Sequence, residues 1–83
     1  MMERPPQKVT RYMTFRCLDN EPKMVLWSVL ENKNGDLLGR VKWYGPWKQH
    51  VFEPVDWSMF DDGCLMEISK FLTELNAKQR EGE

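Results

Sequence analysis

The residues best equipped for chemistry in this chain are cations interleaved with aromatics. Arg40, Lys42 and Tyr44 recur at every second position, and Lys48 and His50 repeat the same step, with Trp43 and Trp47 set among them. A two-residue step places side chains on one face of an extended strand. On such a face cations contact phosphates and aromatic rings stack on bases. Arg, Tyr and Trp are equally the residues that carry most binding energy at protein interfaces. Trp57, in the stretch Val55-Asp56-Trp57-Ser58-Met59-Phe60, adds another aromatic. Arg40, Lys42, Tyr44, Lys48, His50 and Trp57 are therefore the candidate binding residues, for a protein or for a nucleic acid.

Other chemistries fit less well. Nucleophilic catalysis needs a nucleophile, a base and an orienting group. Cys17 or Cys64 with His50 and Asp56 supplies these on paper, but both cysteines sit in apolar patterns of the kind that form cores. With one histidine in the chain, most roles of an active site stay unfilled, and the chain reads as non-enzymatic. Structural zinc sites use ligands paired two to four positions apart. No two Cys or His here are that close, so no metal and no cofactor are expected. None of the glycines forms a Gly-rich loop before a helix. Asp61 and Asp62 are better explained as helix caps than as an acid–base pair.

The elements that must position these groups follow from periodicity. Residues 1–83 make one domain, with residues 1–8 as a loose N-terminal arm, a sheet over residues 9–53 and a helix over residues 61–78. Val9 to Leu18 and Lys23 to Glu31 read as strands, Asp36 to Tyr44 as a third and Trp47 to Glu53 as a fourth, broken at Gly45-Pro46. Asn32-Lys33-Asn34-Gly35 predicts a three-residue hairpin loop with Gly35 left-handed. That register sets Leu30 opposite Leu38, Trp27 opposite Val41 and Val25 opposite Trp43. A two-residue Asn34-Gly35 turn would slip it by one. The first register segregates the faces better. It sends Val25, Trp27, Val29, Leu37, Gly39, Val41 and Trp43 to the core. It sends Met24, Leu26, Ser28, Leu30, Leu38, Arg40, Lys42 and Tyr44 outward.

In the helix, Cys64, Leu65, Ile68, Phe71, Leu72 and Leu75 form one apolar stripe. Phe60 and Leu65 occupy hydrophobic-staple positions if Asp61 is the cap. The predicted fold is α+β: an antiparallel three- to four-stranded β-meander packed against one C-terminal α-helix.

Composition agrees. Four Trp, four Phe and two Tyr give a small domain the bulky side chains it needs for a core. Net charge is −1, but residues 1–50 carry nine Lys/Arg against five Asp/Glu, and residues 51–83 carry three against eight. If the halves form different faces, the molecule is basic on one side and acidic on the other. The acidic set is Glu53, Asp56, Asp61, Asp62 and Glu67. The start of the sequence lacks the apolar stretch of a signal peptide, so no leader is expected, and no apolar run is long enough to span a membrane. Two cysteines without a CxxC spacing read as thiols in a reducing cytoplasm.

The segment Leu38, Gly39, Val41, Lys42, Trp43, Tyr44, Trp47, Lys48, Gln49, His50, Phe52 and Pro54, followed by the helix Cys64 to Asn76, resembles a family of small bacteriophage and prophage proteins of uncharacterised function. The resemblance covers about the last two-thirds of the domain. It implies a short accessory protein made in the cytoplasm of a bacterial host. With the open sheet face, it suggests a protein-binding module acting on a host or phage protein, in host takeover or counter-defence. The alternatives are a single-stranded nucleic-acid-binding domain and a structural homodimer.

Overall fold

The computed structural model describes residues 7–17 and 26–81. Its strands are β1 (Gln7–Val9), β2 (Met13–Cys17), β3 (Trp27–Glu31), β4 (Leu37–Tyr44) and β5 (Gln49–Pro54), followed by the helix α1 (Asp62–Glu81). The strands form one antiparallel sheet in the order β1-β2-β3-β4-β5. The fold class is α+β as expected, with five strands rather than three or four. The extra strand arises because the segment from Val9 onward is interrupted. Thr10 makes a turn in which its N–H donates to the Met13 carbonyl at 2.8 Å and its hydroxyl oxygen accepts the Met13 N–H at 3.3 Å. Such local side-chain bonds compete with strand continuation. β1 consequently takes in Gln7 and Lys8, which were expected in the arm. The predicted positions Leu18 and Lys23 to Val25 lie outside the described residues.

The β3–β4 hairpin has the predicted register over Trp27↔Val41, Ser28↔Arg40 and Val29↔Gly39, then shifts so that Leu30 pairs with Leu37. The shift begins at the loop. Glu31 N–H donates to the Asp36 carbonyl at 2.9 Å, and Gly35 N–H to the Glu31 carbonyl at 2.8 Å. Glu31 therefore closes a four-residue loop, with Gly35 left-handed at φ +78°, and a β-bulge absorbs the additional residue. The bulge exchanges two leucines. Leu38 packs against the core, and Leu37 lies across from Leu30 on the other face, the reverse of the expected assignment.

Met13, Phe15, Val29, Val41, Ile68 and Phe71 make the buried core. Phe71 of α1 stacks on Phe15 at 4.0 Å between centroids and meets Trp27 edge-on at 5.0 Å. Asp61 is the helix cap: Cys64 N–H donates to its Oδ1 at 2.8 Å and Leu65 N–H to its carbonyl at 3.0 Å. The apolar stripe holds at Cys64, Ile68, Phe71, Leu72 and Leu75 but not at Leu65, which is 53% exposed. Its expected staple partner Phe60 packs edge-on against Phe52 instead, at 5.3 Å. Trp43, also expected in the core, is 41% exposed and lies edge-on to His50 at 5.3 Å. The sheet clasps α1 from both edges. Lys8 on β1 pairs with Glu74 at 2.5 Å, and His50 on β5 bonds Asn76.

Candidate functional site

Because α1 covers one face of the sheet, the other face is open among the described residues. Register fixes what it displays. One row crosses all five strands as Gln7, Arg16, Ser28, Arg40 and Glu53. Lys42 and Tyr44 continue along β4, opposite Val51 and Gln49. Arg40, Lys42 and Tyr44 thus share the open face, as their alternation predicted. Lys42 reaches diagonally to Glu53 at 3.0 Å, an exposed pair of small energetic weight. Among the described residues no carboxylate is within ion-pair distance of Arg16 or Arg40. Arg16 escaped the sequence reading. The available signal was the alternation Met13, Phe15, Cys17 inward against Thr14 and Arg16 outward.

At the end of this face the chain turns through a single 3-10 turn, Gly45–Trp47, with Pro46 in it. Trp47, which was expected to open the fourth strand, is 65% exposed and packs edge-on against Tyr44 at 5.0 Å. Lys42, Tyr44, Trp47, Val51, Phe52, Glu53 and Pro54 line a shallow groove of about 330 Å³. Lys48 and His50 do not share a face on one strand, as their spacing suggested. Lys48 is in the turn, left-handed at φ 51°, with its N–H donating to the Gly45 carbonyl at 3.0 Å. His50 is paired with Trp43 on the helix side of the sheet. Its backbone N–H donates to Asn76 Oδ1 at 2.7 Å, and its Nδ1 lies 3.0 Å from the same oxygen. His50 is thereby committed to holding α1 and is separated from the open-face cations.

Trp57 occupies a second surface. It is 81% exposed, Met59 90%, Met66 71% and Leu65 53%, all within residues 57–66. Asp56, Asp61 and Asp62 are exposed along the same stretch. No Lys, Arg or His occurs from residue 51 to residue 69. Across a cavity of about 600 Å³, Met59, Asp61 and Cys64 face Arg11, Tyr12 and Lys33.

Two of the groups considered for nucleophilic chemistry, His50 and Cys64, have other partners. His50 faces Asn76. Burial pushes the Cys64 thiol up from its ordinary value, and the neighbouring Asp61 carboxylate adds to the effect. A raised value leaves little thiolate at neutral pH. The Asp61 carboxyl is held below its usual range, chiefly by the Cys64 backbone N–H it accepts. Among the described residues no cluster of three or more His, Cys, Asp or Glu is placed to hold a metal ion. No described helix is long and apolar enough to cross a membrane.

The chain is similar to a protein of Acholeplasma phage L2 described as an uncharacterized 9.3 kDa protein, 29% identical over 75 residues that make up 89% of this chain and 96% of that protein. The likeness to a small phage protein read from the sequence is consistent with this relative. No protein-family model matches the chain. No solved structure matches it.

Proposed function

We propose that this protein is a non-enzymatic binding module of phage type that docks on a basic surface of a host or phage protein through residues 56–66. The observation that carries the reading is the exposure of Trp57, Met59, Leu65 and Met66 within one short stretch. Large apolar side chains gathered in the open mark interaction surfaces. Trp is the residue type most enriched among those that dominate binding energy. Asp56, Asp61 and Asp62 are exposed in the same stretch, so the complementary surface is basic, as on a nucleic-acid-binding protein. The phage relative supports a setting inside an infected bacterial cell, where such docking would serve host takeover or counter-defence.

The test is capture on the tagged protein from nuclease-treated bacterial lysate. A partner that stays bound after nuclease treatment, is released by salt, and is lost from a Trp57→Ser/Met66→Ser variant but kept by Arg40→Ala supports the reading. A partner released by nuclease, or held equally by the double variant, overturns it. Recovery of this chain alone would redirect the patch to a homodimer contact.

A further inference from the structure

We infer that the open sheet face is a binding surface for single-stranded nucleic acid, centred on Arg16, Arg40, Lys42, Tyr44 and Trp47. This goes beyond the protein-docking reading and uses a different surface. Its charge is the first argument. The described strand positions on this face hold three cations, Arg16, Arg40 and Lys42, and one carboxylate, Glu53, in a chain whose net charge is −1. A local positive surface on an acidic protein needs a polyanionic occupant more than a general solubility explanation.

Spacing is the second argument. Arg16 and Arg40 sit opposite the two sides of Ser28. They are therefore two strand spacings apart, about 9.5 Å at the backbone. Lys42 and then Tyr44 follow Arg40 along β4, each about 6.8 Å further on. Ser28, between them on β3, is small and buried. The cations thus form a patch at one end of a line that finishes on aromatic rings.

Those rings are the third argument. Tyr44 and Trp47 meet edge-on at 5.0 Å, and Trp47 is largely exposed at the rim of the groove. Cations alone would suit any anion, including an acidic peptide. Cations that lead to exposed ring faces suit a chain of phosphates bearing planar bases. The bases must be unstacked to reach the rings, which selects single strands over duplex. No described helix lies on this side of the sheet to enter a major groove.

The experiment is fluorescence anisotropy of labelled oligothymidylate and oligouridylate of twenty nucleotides, titrated with the protein at 50 and 200 mM salt. With three cations on phosphates, affinity falls about twentyfold between the two salts; an Arg16→Gln/Arg40→Gln variant binds more weakly, and its affinity falls only about threefold. Trp47→Ala lowers affinity at least about fivefold without changing the salt slope. Lys70→Gln/Lys78→Gln removes the same charge from α1 and leaves binding within about twofold, because exposed charges far from the contact are largely screened. Thermal melting of each variant checks that it is folded. The inference is overturned if no binding occurs at 50 mM salt. It is also overturned if duplex of the same length binds as well, if a polyglutamate peptide of matched charge competes equally, or if the α1 variant loses as much as the sheet-face variant.

Discussion

Asn76 Oδ1 accepts the backbone N–H of His50 at 2.7 Å and lies 3.0 Å from Nδ1 of the same residue. A helix side chain thereby occupies a backbone donor on the free edge of β5. Ladder alternation turns the N–H groups of His50 and Phe52 outward, and Pro54 has none. With His50 taken by Asn76, Phe52 is left as the one outward N–H donor of these three positions. Asn76→Ala leaves a partly buried donor unpaired and is expected to destabilise the fold by about 1–2 kcal/mol, a drop in melting temperature of the order of 4–16 °C. Asn76→Asp keeps the acceptor and should melt within a few degrees of wild type at pH 7. Equal losses in the two variants would show that the bond contributes nothing.

Gly39 and Gly35 separate two uses of glycine. A Cβ on Gly39 would lie 2.5 Å from the Glu53 carbonyl oxygen and 2.6 Å from Cζ of Phe52. The ring of Phe52 covers this position across the strands. Gly39→Ala should therefore cost about 2–3 kcal/mol, measured by denaturant unfolding. Trimming Phe52 to Ala in the same chain should not restore stability, since the closer clash is with backbone. Gly35 has open space around it but a left-handed backbone. Gly35→Asn should cost well under about 1 kcal/mol, because Asn tolerates that conformation.

These two glycines also mark the limit of what the sequence discloses. Gly35 in Asn-Lys-Asn-Gly announces a turn locally, and the helix announces itself through Asp61 and the stripe from Cys64 to Leu75. Alternation alone put Arg40, Lys42 and Tyr44 on one face. What escaped depends on partners remote in sequence. The break at Thr10 is held by Asn32, whose Nδ2 donates to the Thr10 carbonyl at 2.7 Å, and by Glu67, which accepts the Thr10 hydroxyl. The bulge at Leu38 needs the loop geometry and β5 together, since the Leu38 carbonyl accepts from Val55 N–H at 3.1 Å. Arg16 joins the site only once β2 is known to pair with β3. His50 leaves it because Asn76, 26 residues on, claims its side of the strand.

Trp27 carries a buried Nε1–H with no acceptor among the described residues, while its ring meets Phe71. Leaving such a donor unpaired costs about 1–3 kcal/mol. Trp27→Phe removes the donor along with part of the ring, so the gain and the packing loss should offset to within about 1 kcal/mol. Phe71→Ala has no such offset. It removes the ring stacked on Phe15 and should cost about 3–5 kcal/mol, a large fraction of the 5–15 kcal/mol typical of a small domain. Urea denaturation of the two variants ranks them, and a Trp27→Phe loss as large as that of Phe71→Ala would contradict the offset.

Stability should fall on acidification through Asp61 and Glu74. Both carboxyls are held below their usual range, Asp61 chiefly by the Cys64 backbone N–H and Glu74 by Lys8. A carboxyl whose folded value is depressed binds protons more weakly folded than unfolded, so its contribution is complete above the unfolded value, about 4. That contribution disappears as pH falls through the lower folded value. Cys64 acts in the opposite sense. Its raised value favours the fold below the ordinary thiol range, and this is lost as pH climbs through the raised value. Melting temperature should thus be level from about pH 5 to 8 and fall on both sides. Asp61→Asn retains a capping oxygen without the titration, so it should stay near wild type at pH 7 and show a shallower acid limb. Asp61→Ala should be lower at pH 7 as well, having lost the cap outright. An unchanged acid limb in Asp61→Asn would assign the acid sensitivity to other carboxylates.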